Sequence, residues 1–261
     1  MKYNNNFGVP RDPENEADVA AANHFNSFQL GPFNNPTALG IDYPESYKMT
    51  IDDYVPLTQE DLEYINGTVD FIGVDPYTAT VIQPPVPGSQ ESIVDCASNA
   101  SSTFRPYCVN QTTTNVFDWN IGYRSQSYVY ITPTYLRLYL NYLWNTWKKP
   151  VVLTEFGFPV FGEADKENLS DQLFDTPRSI YYLSFLSETL KAIWEDGVKV
   201  TGAYAWSFAD NWCVHSPTVL SPALCPLRSI LTRRREFGDY DQHFGIQTVN
   251  RYVLAGYTVS S

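Results

Sequence analysis

The chain has 261 residues, 43% of them hydrophobic, and a formal net charge of −12. That length and composition allow one large domain or two small ones with a real core, and the negative charge argues against a nucleic-acid partner. No run of about 18 apolar residues offers a membrane span, and the opening M-K-Y-N-N-N-F-G carries no apolar signal core.

Residues 18–30 (D-V-A-A-A-N-H-F-N-S-F-Q-L) predict an amphipathic helix, with Asp18 as N-cap and Ala21, Phe25 and Phe28 on one face. His24 reads as a surface or packing residue, because no second His or Cys stands nearby at metal spacing. No metal and no cofactor are expected. Residues 31–44 read as turn-rich loop. A short helix follows over 59–65 with Thr58 as N-cap. Residues 69–74 (V-D-F-I-G-V) then predict a buried strand running into D-P-Y-T.

Residues 79–126 read as one long loop, of a length that usually marks an active-site insertion. It holds Cys96, Cys108 and two of four N-x-S/T sequons, at Asn99 and Asn110; the others start at Asn66 and Asn168. A disulfide between the two cysteines would fit a secreted protein. Two unrelated free cysteines are the alternative, and a cytoplasmic location stays open.

Thr132-Pro133 and Thr176-Pro177 each read as a Thr N-cap with Pro at the first helical position. These helices run to about residues 147 and 195, the second stopped by Gly197. Between them V-V-L-T-E-F-G (151–157) predicts a buried strand that ends in a carboxylate, Glu155, at a turn. A similar strand, V-K-V-T-G-A-Y-A-W-S (198–207), is followed by A-D-N-W. Strands alternating with helices are the β/α signature. Strands that deliver polar and aromatic side chains to their C-terminal ends describe the active face of a β/α barrel. Three strands are counted, where a closed barrel needs eight. Aromatic residues reach 15%, with 19 Tyr, a surplus that suits ordinary core or rings stacked on sugars.

In combination these motifs resemble glycoside hydrolase family 1, the β-glucosidase family, and most closely its filamentous-fungal members, over about residues 18–250. The family's F-x-L-G-W-F-x-D-P-I-x-x-G-D-Y-P is matched, one residue longer, by F-Q-L-G-P-F-N-N-P-T-A-L-G-I-D-Y-P (28–44). Its D-F-I-G-x-N-Y-Y-T is matched by D-F-I-G-V-D-P-Y-T, and its I-T-E-N-G by L-T-E-F-G. Its G-Y-x-x-W-S-x-x-D-N-F-E-W is matched in part by G-A-Y-A-W-S-F-A-D-N-W.

The resemblance implies that Glu155 is the nucleophile of a retaining glycosidase and that Tyr77 hydrogen-bonds its carboxylate. It implies that Trp206 is the floor under the non-reducing glucose, and that Glu236 and Phe237 bind the same sugar. Such an enzyme takes a β-glucoside or oligosaccharide substrate and places two carboxyl groups roughly 5 Å apart, one attacking and one protonating the leaving oxygen. Asp75 and Pro76 replace the family's Asn and first Tyr, and Phe156 replaces an Asn. Oligomeric state is not legible.

The family's acid/base glutamate lies in an N-E-P motif, and no N-E-P string occurs; P-E-N-E (13–16) lacks the preceding strand. The resemblance therefore implies a single incomplete domain over 1–261, a partial (β/α)8 TIM barrel from about the fifth strand onward, inactive for want of its acid/base. A non-catalytic sugar-binding protein and a fragment without function are the rival readings. Residues 213–235 interrupt the family pattern between Trp212 and Glu236. Trp-Cys-Val must be encoded TGG-TGY-GTN, which contains GTGYGT, a 5′ splice signal, and an AGG codon for Arg235 would close the insert. Arg251-Tyr252-Val253 allows a second signal. Residues 213–235 and 252–261 are accordingly expected to be translated introns, with a genuine surface insertion as the alternative.

Overall fold

The computed structural model describes residues 2–3, 6–85, 92–163, 166, 169–207 and 246. Four strands lie side by side and parallel in chain order: β1 (Lys2–Tyr3), β3 (Ile72–Val74), β6 (Val151–Phe156) and β7 (Val200–Ala205). Register places Tyr3 beside Val74, Ile72 beside Val151, and Val151 beside Val200. Parallel neighbours need long crossovers, supplied here by helices α1 (Glu16–Asn34), α5 (Pro133–Trp147) and α7 (Thr176–Trp194). This is a partial β/α barrel. Among the described residues β1 and β7 each pair on one side only.

The fourth strand escapes sequence reading because β1 is two residues long and followed by asparagines, with no apolar run to mark it. The strand expected at 69–74 begins only at Ile72, where pairing to β6 starts. The last strand is not buried as expected: β7 is largely exposed, Tyr204 at 63%. No described strand lies beyond it to cover that side.

The described residues of 79–126 are not one loop. They hold β4 (Ala79–Gln83), α4 (Ile93–Ser98) and β5 (Asn110–Thr112). With β2 (Phe7–Pro10), β4 and β5 form a second sheet, β2 parallel and β5 antiparallel to β4. Short strands paired with distant segments leave little periodicity to read. Cys96 and Cys108, both buried, form a disulfide that closes this region.

Helix α1 starts at Glu16, capped by Asn15, whose Oδ1 accepts the Ala17 N–H at 2.9 Å. Asp18 is not the cap: it is buried and accepts the Asp12 N–H at 3.0 Å, fixing the entering turn. Nor do residues 31–44 form a loop throughout. The helix continues through Gly31 and Pro32 to Asn34, then a π-helical turn (Asn35–Leu39) ends at Gly40 with φ 66°. Gly31 is bare because the chain returns over it; a Cβ there would stand 2.6 Å from the Pro44 ring. A four-residue helix α2 (Glu45–Lys48) and α3 (Gln59–Ile65) follow. Thr58 caps α3 as expected, and Asp61 completes a capping box with it.

Helix α5 buries Leu136, Tyr139, Leu140, Leu143 and Trp147, one face of a helical period, in the same core as Ile72, Val74, Val151 and Leu153. Helix α7 buries Arg178, Tyr181, Phe185, Thr189 and Ala192. Its N-cap is Asp175 rather than Thr176. A short helix α6 (Leu169–Leu173) precedes it.

Candidate active site

Because the four strands are parallel, their C-terminal ends open on one side, the side where β/α barrels carry their chemistry. Glu155 is the fifth residue of β6, Tyr77 stands three residues past β3, and Trp206 follows β7 directly. The Tyr77 hydroxyl donates to Glu155 Oε2 at 3.0 Å. Tyr77 is buried and Glu155 is half-buried.

Several contacts fix this pair. The Tyr77 N–H donates to the Asp75 carbonyl at 2.9 Å, and the Tyr181 hydroxyl of α7 donates to the Tyr77 carbonyl at 3.0 Å. Asp75, 1% exposed, accepts from the Thr154 hydroxyl at 2.7 Å, and the same hydroxyl lies 3.0 Å from the Val74 carbonyl. The carboxylate at the family's asparagine position is thus bonded to the residue just before Glu155.

Trp206 is half-buried, and its backbone N–H donates to the Phe156 carbonyl at 2.8 Å. Gly157 makes that approach feasible: a Cβ on it would stand 1.8 Å from the Trp206 carbonyl oxygen. The Trp206 indole Nε1 meets no acceptor among the described residues. The structure therefore brings Glu155, Tyr77 and Trp206 to neighbouring strand ends. Glu236 and Phe237 lie outside the described residues.

Sequence reasoning did not single out Tyr128. Its ring lies 6.3 Å from Tyr77, nearly perpendicular, and is 48% exposed. The turn that carries it is pinned beside the site: the Tyr130 N–H donates to the Thr78 hydroxyl at 3.1 Å, and Ser125 N–H to the Val129 carbonyl at 2.9 Å. The alternating S-Y-V-Y run ahead of Thr132-Pro133 is the signal that could have found it. Among the described residues no group of three His, Cys, Asp or Glu could hold a metal ion. His24 sits in α1, where burial pushes its imidazole below the usual range.

The family profile described as Glycosyl hydrolase family 1 matches residues 1–216. The chain belongs to that family. β-Glucosidase 1B of Phanerodontia chrysosporium is 32% identical over 214 residues, covering 81% of this chain and 36% of the relative. Among solved structures, β-glucosidase 2 of Trichoderma reesei in complex with Tris superposes with a TM-score of 0.72 at 27% identity, covering 94% of this chain and 46% of that one. A rice β-glucosidase mutant in a covalent complex with Glc superposes with a TM-score of 0.69 at 25% identity, covering 82% and 43%. The family 1 chain described here thus spans just over a third of the curated relative and less than half of each solved chain.

Proposed function

We propose that this family 1 chain carries the nucleophile half of a retaining β-glucosidase site acting on terminal β-D-glucosides. The observation that supports it best is the Tyr77–Glu155 hydrogen bond of 3.0 Å at adjacent strand ends, with Trp206 on the next. A carboxylate oxygen of Glu155 attacks the anomeric carbon, the bond to the leaving oxygen breaks, and that oxygen takes the electron pair. Tyr77 holds the attacking carboxylate in place, and Trp206 offers its ring to the apolar face of the glucose. Glu236 and Phe237 are assigned to the same sugar by resemblance. The covalent Glc complex of the rice relative has the kind of intermediate this mechanism requires.

On this reading β1, β3, β6 and β7 correspond to the fifth to eighth strands of the family's barrel. The missing N-E-P acid/base leaves the isolated chain able to react with glucosides whose leaving group needs no proton and unable to turn over ordinary ones. Residues 213–235 and 252–261 are read as translated introns. A secreted protein is proposed from the Cys96–Cys108 disulfide and the exposed sequons at Asn66 and Asn99.

The test is covalent trapping. Incubation with 2,4-dinitrophenyl 2-deoxy-2-fluoro-β-D-glucoside should add one fluoroglucosyl group, located on Glu155 by peptide mass spectrometry. Glu155→Gln should take up none. An unlabelled native chain, or label on another residue, would refute the assignment; steady turnover of an unactivated alkyl β-glucoside would refute the inactivity.

A further inference from the structure

Helix α7 reaches all three site-bearing strand ends with one face of its first two turns. Arg178, Tyr181 and Tyr182 stand at i, i+3 and i+4, neighbours on a helix surface. Arg178 Nε donates to the Phe158 carbonyl at 3.0 Å, beyond the end of β6. The Tyr181 hydroxyl donates to the Tyr77 carbonyl at 3.0 Å, past β3. The Tyr182 hydroxyl donates to the Trp206 carbonyl at 3.1 Å, past β7, and lies 3.5 Å from the Phe156 carbonyl.

We propose that Tyr181 and Tyr182 are positioning residues for the glucosidase reaction, Tyr181 acting through Tyr77 on the attacking carboxylate and Tyr182 through Trp206 on the bound sugar. The inference rests on the function proposed above and assigns two residues that the chemistry does not itself require.

Three features make the clamp stiff. Tyr181 is wholly buried, its ring 4.0 Å from Phe185, 5.4 Å from Phe158 and 6.4 Å from Phe156. The Tyr181 phenol cannot swing away without giving up its hydrogen bond to the buried Tyr77 backbone. The helix start is itself anchored: Arg178 is buried between Asp175 and Glu163, the latter at 2.5 Å. A buried charge so paired and hydrogen-bonded holds its partners in one arrangement. Burial also pushes the Tyr182 hydroxyl up to about 12 and that of Tyr181 well above the usual range, so both remain donors across neutral pH.

The two hydroxyls serve different groups, so their removal should have different kinetic signatures. Labelling by the dinitrophenyl fluoroglucoside forms the Glu155–C1 bond and expels dinitrophenolate with its electron pair, and it yields a limiting rate constant and a half-saturation concentration. Tyr181→Phe should lower the limiting rate constant about tenfold at unchanged half-saturation, because a displaced Tyr77 leaves the nucleophile poorly aimed. Tyr182→Phe should raise half-saturation about fivefold and leave the limiting rate within about twofold. Leu143→Ala is the control. It opens a cavity in the same core from α5 without touching the clamp, and should lower the unfolding temperature while moving neither constant. Tyrosine variants that lower only the unfolding temperature would overturn the proposal. So would a Leu143→Ala variant that slows labelling as much as Tyr181→Phe. An unlabelled native chain removes the proposed function itself, and this inference with it.

Discussion

Asp75 shows how one substituted residue is accommodated. A buried carboxylate without hydrogen bonds is costly, and Thr154 supplies one from the neighbouring strand at 2.7 Å. The bond ties the ends of β3 and β6 together beside Glu155. Gly157 is the other informative residue. Its neighbour is a backbone oxygen 1.8 Å from where a Cβ would stand, which no rotamer change can relieve. Gly157→Ala should therefore cost about 2 kcal/mol or more of unfolding free energy. It should also weaken sugar binding by displacing Trp206. Denaturant titration checks the first and fluoroglucoside half-saturation the second; a variant as stable as the parent would show that the strand ends separate easily. The hydrogen bond between Tyr77 and Glu155 was legible because each residue stands in a short motif at a strand end. The bond from Tyr181 was not, because its acceptor lies 104 residues away.

At the scale of elements, local signals succeeded where the chemistry is local. The Thr58 cap and the α5 span follow from residues a few positions apart. Asp18 failed as a cap because Asn15 offered an equivalent oxygen three residues earlier, and tertiary folding used Asp18 to hold Asp12. Helices α5 and α7 are joined by a contact no pattern announces: Arg137 binds Asp196 and Glu195 at 2.7 Å each, and Asn141 donates to Asp196 at 2.7 Å. Hydrogen bonds from Arg137 and Asn141 hold the Asp196 carboxyl down to about 2. A folded value below the unfolded one adds stability above about pH 4, and the contribution is lost as pH falls toward the folded value. Asp196→Asn should therefore flatten the dependence of stability on pH between about 4 and 2, followed by urea titration at each pH. An unchanged slope would mean that other carboxylates set the acid limb.

At the scale of the whole molecule, four parallel strands form an open arc. Among the described residues β1 and β7 have one unpaired edge each, and α7 turns Ile180, Leu183, Leu190 and Trp194 outward, the last at 83% exposure. Sheet edges and apolar faces of this kind are surfaces that folded proteins normally cover. Residues 213–235, proposed above to be a translated intron, lie outside the described residues, and the family match ends among them at 216. If both inserts are introns, the mature transcript should join the Trp212 codon to Glu236 and lack the codons for 252–261. Sequencing of the message decides it, and a transcript retaining both segments makes them part of the protein. The sequence by itself determined the family, the β/α alternation and the pairing of Tyr77 with Glu155, because each is written in contiguous residues of fixed period or motif. Only the tertiary structure decided the fourth strand, the second sheet and the α7 clamp. Each of these depends on backbone and side-chain groups meeting across long separations, and no local periodicity records where a distant carbonyl will lie.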